Sequence, residues 1–287
     1  MATLKGPASA GLLHLGLILW AGAALAQGDA KRGEYLAKAG GCLGCHTEAR
    51  EGAAAYAGGR PIETPFGVFY GPNITPHAQA GLGRWSEADF IRAMREGRRP
   101  DGAHYFPAFP YPSFTNITDP DLRDLWAHLR SLKPDARESQ PHELKFFYRW
   151  RFLVGIWKWF FFTPGPFVAD AQRPAALNRG AYLVQALGHC GECHTPRNWL
   201  GAMKQDRFLG GVKGDDGSPN LTPTRMKKWD DGELKDFLGS GMTPDGDVTG
   251  ETMGEVVRNT TSRLTAQDLD AVVAYLRSLP PLPEEPK

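Results

Sequence analysis

Four cysteines are the most reactive side chains in this sequence, and they fall in two short stretches. One is Cys42-Leu43-Gly44-Cys45-His46; the other is Cys190-Gly191-Glu192-Cys193-His194, which starts 148 residues further on. A disulfide within Cys-x-x-Cys closes almost no loop and would staple nothing. Zinc knuckles that share one metal are normally separated by about 15–20 residues, far less than the gap here. A redox dithiol would want a preceding strand and a thioredoxin-like surround, which the flanking sequence lacks. None of these explains a histidine directly after the second cysteine, twice. Covalent haem does. Two thiols add across the two vinyl groups of the porphyrin, a helical turn sets their spacing, and the next imidazole points at the iron. The sequence therefore implies two covalently bound haem c groups, attached through Cys42 and Cys45 and through Cys190 and Cys193. His46 and His194 are the proximal iron ligands.

The elements that position these residues come in duplicate. "RGEYLAKAGGCLGCHT" from Arg32 matches "RGAYLVQALGHCGECHTP" from Arg179, and "PNITP" at Pro72 matches "PNLTP" at Pro219. Trp85 matches Trp229, "RPDG" at Arg99 matches "TPDG" at Thr243, and "ITDPDLRDLWAHLRSLKP" matches "LTAQDLDAVVAYLRSLPP". Such self-similarity marks two homologous domains. They are assigned to 27–135 and 174–287, with a connector at 136–173. A helix over 31–41 should enter the first haem motif. "SEADFIRAMREG" should start at the N-cap Ser86 and stop at Gly97. "TDPDLRDLWAHLRSL" should start at Thr118 and bury Leu122, Leu125, Trp126 and Leu129; its counterpart should bury Leu269, Val272, Val273 and Leu276. No strand alternation of any length is visible. The expected fold is all-α, with long loops rich in Gly and Pro wrapped over a flat cofactor that fills a small core.

The 287-residue chain carries a formal charge of +1, a balance that does not suggest a nucleic-acid partner. Residues 1–26 have one early lysine, an apolar run and a terminal Ala24-Leu25-Ala26, the pattern of a cleaved secretory signal peptide. Without it the chain has 32 basic and 32 acidic side chains, since Lys5 is the only charge removed. The expected location is the periplasm.

The sequence resembles the class I cytochromes c. More closely, it is similar to the multihaem cytochrome c subunits of bacterial periplasmic and membrane-bound dehydrogenases for alcohols, sugars and aldehydes. The stretches that carry this are "GEYLAKAGGCLGCHT", "YGPNITPHAQAGLGRWSEADFIRAMREG", "FPAFPYPSFTNITDPDL", "FFFTPGPF" and "NRGAYLVQALGHCGECHTPRNWLGA". The resemblance implies an electron relay from a dehydrogenase to a downstream cytochrome or oxidase of the respiratory chain. It further implies a methionine as the second axial ligand, and here the two repeats part. Met253 stands nine residues after Pro244; nine residues after the matching Pro100 stands Phe109. The three-haem relatives usually have Met in that "PAxPY" slot. The second haem is therefore expected to be held by His194 and Met253, with Met242 the nearest rival. The first has His46 and a sixth position that is open or taken by His104 or Met94.

Other residues have plainer expectations. Trp85 and Trp229 should staple helix starts or pack near a haem edge, and Asn73 and Asn220 should tie loop backbone. Arg197 should approach a propionate or stay on the surface. The stretch Leu144–Phe162 holds ten aromatic and four basic residues and no acid. Its first reading is packing across both haem domains. Its second is a docking face for a partner subunit, or a peripheral membrane contact. An open first haem would also suit a peroxidase or a thiosulfate-oxidising enzyme, but the apolar lid "FPAFPYPSF" favours plain electron transfer.

Overall fold

The computed structural model describes residues 28–213 and 217–284; the proposed signal peptide lies outside them. In the first domain, α1 (Ala30–Ala39) runs into α2 (Cys42–His46), followed by α3 (Glu87–Glu96), α4 (Tyr111–Phe114) and α5 (Asp119–Ser131). The connector carries α6 (Arg151–Phe161). The second domain has α7 (Ala175–Tyr182), a π-helical turn over Leu183–Leu187, α8 (Gly191–His194), α9 (Pro223–Met226), α10 (Asp231–Ser240), α11 (Glu251–Asn259) and α12 (Ala266–Ser278).

Helix boundaries follow local chemistry. The Ser86 hydroxyl accepts from the Asp89 amide, and the Asp89 carboxylate accepts from the Ser86 amide, closing a capping box at the start of α3. Asp230 and Glu233 do the same for α10. Gly97 and Gly241, both left-handed, end these helices. Thr118 and Thr265 cap α5 and α12. Leu122, Leu125, Trp126 and Leu129 are buried, as are Val272, Val273 and Leu276; Leu269 is half-buried.

In each domain the first helix crosses the last, α1 on α5 and α7 on α12. Both crossings are tight enough to demand glycine. A Cβ on Gly33 would run into the Asp124 carbonyl, and one on Gly180 into the Ala271 carbonyl. The buried core is continuous between domains, with Leu36, Leu122 and Leu125 in the same cluster as Val184, Leu187 and Leu276.

Among the described residues the strands form a small antiparallel sheet. β1 (Pro61–Thr64) and β2 (Gly67–Tyr70) form a hairpin, and β3 (Glu143–Leu144) pairs with β2. Strands of four and two residues are too short to show alternation in sequence, and β3 arrives from the distant connector. The connector departs from the packing reading. Its buried residues in 144–162 are Leu144, Val154 and Lys158, while most of its aromatic rings are exposed.

Candidate haem sites

The two cysteine motifs are built alike. Each opens after a left-handed residue, Gly41 (φ 62°) in one and His189 (φ 38°) in the other. Each ends where the chain turns extended, at Thr47 and Thr195. The four cysteines are free. Burial pushes the Cys42 and Cys190 thiols up to about 12. That is opposite to the lowered thiol of a redox-active dithiol.

The decisive geometry is at the histidines. His46 Nδ1 lies 2.7 Å from the carbonyl of Pro72, and His194 Nδ1 lies 2.7 Å from that of Pro219. A carbonyl can only accept, so each Nδ1 carries the proton and each Nε2 keeps its lone pair. This is how a metal-binding imidazole is oriented from behind. Burial holds both rings below the ordinary histidine value, though the carbonyl opposes the shift, and the neutral ring is the ligating form.

The loops that carry those prolines are fixed in matching ways. The Gly58 amide donates to the His46 carbonyl and the Gly211 amide to that of His194. Thr47 and Thr195 hydroxyls accept from the amides of Tyr56 and Leu209, both 3.0 Å. Asn73 and Asn220 tie loop backbone as expected. Each accepts from a threonine two residues on, and they donate respectively to the Asp135 and Arg137 carbonyls and to the Leu282 carbonyl. Two oriented imidazoles, each one residue past a pair of free cysteines on a helical turn, fit covalent haem in both domains.

The far side of each site can be aligned by backbone. Arg98 bridges His104 across the first "PDG" turn, and Met242 bridges Val248 across the second. Phe109 and Met253 each follow five residues after the later bridge partner, but Phe109 lies in a bend before α4 whereas Met253 lies in the first turn of α11. On α11, Glu255 pairs with Arg60 of the first domain at 2.6 Å, while the buried Val257 faces Gly241 of its own domain. Met253 is half-buried and stands one helical turn before Val257, so the two share a face of α11. Met242 is 54% exposed in its bridge. Phe109 is enclosed by rings, with Tyr105 at 5.3 Å and Phe114 at 5.8 Å.

The two rivals for the first haem sit in different settings. His104 packs on the connector, where a Cβ on Gly155 would meet its Nε2 and its Nδ1 is 3.4 Å from Lys158 Nζ. Met94 is buried in the core on α3. Arg197 braces the second motif from outside, donating to the Glu192 carboxylate and carbonyl and to the Gly201 carbonyl. Trp229 sits one residue before its N-cap with its ring 5.1 Å from Phe237.

One feature absent from the sequence reading is a reciprocal lock between domains. Arg32 pairs with Asp121 in the first domain, and Arg179 with Asp268 in the second. Tyr35 of the first domain donates to Asp268 of the second, and Tyr182 of the second to Asp121 of the first. The haem motifs share this pseudo-two-fold seam. Asn259 and Thr260 lie against Gly44 and Gly41. In return, the Ser113 hydroxyl donates to Glu192 at 2.7 Å and Phe114 meets His189 at 5.3 Å. The signal was present in "RGxYL" and in the aspartate-leucine pairs, each repeated in both halves.

These two sites, built on one plan, define a dihaem c-type cytochrome. The family model for cytochrome c matches residues 30–133 and again 177–280, and the chain belongs to the cytochrome c family. It is 41% identical over 260 residues to a diheme cytochrome c-type protein of Cereibacter sphaeroides, covering 88% of this chain and 86% of that one. It is 39% identical to the fructose dehydrogenase cytochrome subunit of Gluconobacter japonicus, covering 87% of this chain and 52% of that one. It is 37% identical to the cytochrome c subunit of the alcohol dehydrogenase (quinone) of Gluconacetobacter polyoxogenes, covering 92% and 60%. The chain thus spans little more than half the length of these two dehydrogenase subunits. It carries two haem c groups with their iron, one per domain, and its function is electron transfer. The relatives lend no support to a peroxidase.

Proposed function

We propose that this chain takes electrons from a dehydrogenase in the periplasm and passes them to a downstream cytochrome or oxidase. Residues 1–26 direct export, 27–135 and 174–287 form the two haem domains, and 136–173 connect them. Cys42 and Cys45 hold the first haem and Cys190 and Cys193 the second. His46 and His194 ligate the irons, and Met253 completes the second. When bound, haem supplies reversible one-electron chemistry; the residues around it set its orientation and its access to water.

The observation that carries this reading is the shared seam. Each haem motif packs on the other domain, which favours transfer between two fixed centres over two independent reactions. The dehydrogenase partner is supported by the names of the relatives, among them the fructose and alcohol dehydrogenase subunits. No helix among the described residues is long and apolar enough to cross a membrane. The test is to mix oxidised holoprotein with a purified periplasmic dehydrogenase and its substrate, then follow haem reduction. Reduction of both haems, followed by reoxidation by an acceptor cytochrome, is expected. Sustained turnover of peroxide or thiosulfate without an acceptor protein would contradict it.

A further inference from the structure

The connector helix lies on the protein with its polarity turned outside in. Lys158 is 8% exposed. Its ammonium donates to the carbonyls of Glu96 and Gly97 at the end of α3, beside the Tyr111 ring at 4.8 Å. Arg151 donates to the His104 carbonyl at 2.9 Å and stacks on Phe106. The cations thus fasten α6 to the first domain, and the apolar face looks outward. Phe152, Ile156 and Phe160 are exposed, and Trp159 is 81% exposed. The turn before α6 adds Phe146 and Phe147, the latter 71% exposed. The second domain contributes Trp199, 90% exposed, and Leu200. Leu200 is held beside α6 because the Trp157 indole donates to its carbonyl at 3.0 Å. A contiguous apolar face of this kind, spanning both domains, marks a surface that meets an apolar partner.

We propose that this face seats the protein on the surface of an anionic phospholipid bilayer. Charge selects that occupant over a protein. Leu144–Phe162 has four basic residues and no acid. Lys145 and Arg149, both exposed beside the rings, donate to the carbonyls of Pro65 and Leu144. No carboxylate pairs with either among the described residues, so their charge is free to meet lipid phosphate. An 11-residue helix is too short to span a bilayer, but with aromatic rings on one face it suits the interfacial plane. Phenylalanines, which have no polar tip for a rim, dominate its outer face. Seating it there also turns Trp199, five residues past His194, toward the lipid, and so brings the second haem motif close to the membrane. This inference stands apart from the choice of electron donor.

The experiment is flotation of purified holoprotein with vesicles of phosphatidylglycerol, and with vesicles of phosphatidylcholine. The protein should float with phosphatidylglycerol, less so as salt is raised, and hardly at all with phosphatidylcholine. W159S combined with F160S, both at exposed positions, should weaken vesicle binding by about tenfold or more. The haem spectrum and melting temperature should stay unchanged, which shows the variant folded. K145E combined with R149E should remove the salt dependence. The proposal is overturned if wild-type protein stays unbound to phosphatidylglycerol, or if it binds both lipids equally. It is also overturned if W159S/F160S floats like wild type, including the case where that variant loses only its hold on a dehydrogenase.

Discussion

The first and second domains share a plan and differ where it bears on chemistry. Both orient a histidine from a proline carbonyl at the same distance, and both need glycine where terminal helices cross. They differ in sequence at the slot proposed for the sixth ligand, which holds Met253 in the second domain and Phe109 in the first. They differ also in how the chain reaches the haem. From arginine to first cysteine is ten residues in domain one, Arg32 to Cys42, and eleven in domain two, Arg179 to Cys190. The π turn at Leu183–Leu187 absorbs the extra residue, so the second motif emerges in the same place. A duplicated domain can therefore tolerate a length change before its haem without losing the site. A change of residue at the sixth position alters what the iron can do.

The strongest way to break the symmetry is to remove one attachment. Replacing Cys190 and Cys193 with Ser should leave one covalent haem per chain by intact mass. Because the buried core is continuous across the domains, the surviving domain should also melt several degrees lower. An unchanged first-domain transition would show that the two fold independently.

A smaller change tests the reciprocal lock. Tyr182 is buried and Tyr35 half-exposed, and each donates to an aspartate already paired with an arginine. Tyr182→Phe should cost about 2 kcal/mol, the scale for a hydrogen bond to a charged group. Tyr35→Phe should cost about half as much. Urea denaturation measures both, and equal losses would contradict the asymmetry in burial.

A further effect belongs to the first domain alone. Burial pulls Lys158 down from 10.5 to about 8. Between those values the unfolded chain holds a proton that the folded chain has shed, so stability rises with pH across that window. The contribution is full above about 10.5 and is lost as pH falls toward 8. Melting temperatures from pH 8 to pH 10 should show a rise that Lys158→Met flattens.

Much of this was legible before any coordinates. The cysteine-histidine motifs, the repeat, and the capping residues Ser86 and Thr118 are local signals, and local signals survive in sequence. The proline carbonyls behind His46 and His194 could not be read, because they come from loops about 25 residues away. The seam between Tyr35 and Asp268 could not be read either, since it joins residues far apart in different domains. The connector misled for a different reason. Ten aromatic residues look like core by composition, and only the placement of Lys158 under α6 shows that the rings face out.

The central proposal is that the two haems are unlike, with Met253 on the second iron and the sixth position of the first, opposite His46, left open. Carbon monoxide titration of the reduced holoprotein, in wild type and in Met253→Ala, tests it most directly. The account predicts one carbon monoxide per chain in wild type and two in the variant, with the red-edge ferric band of a methionine–iron bond present only in the wild type. No binding by wild-type protein, or a band that survives Met253→Ala, would contradict it.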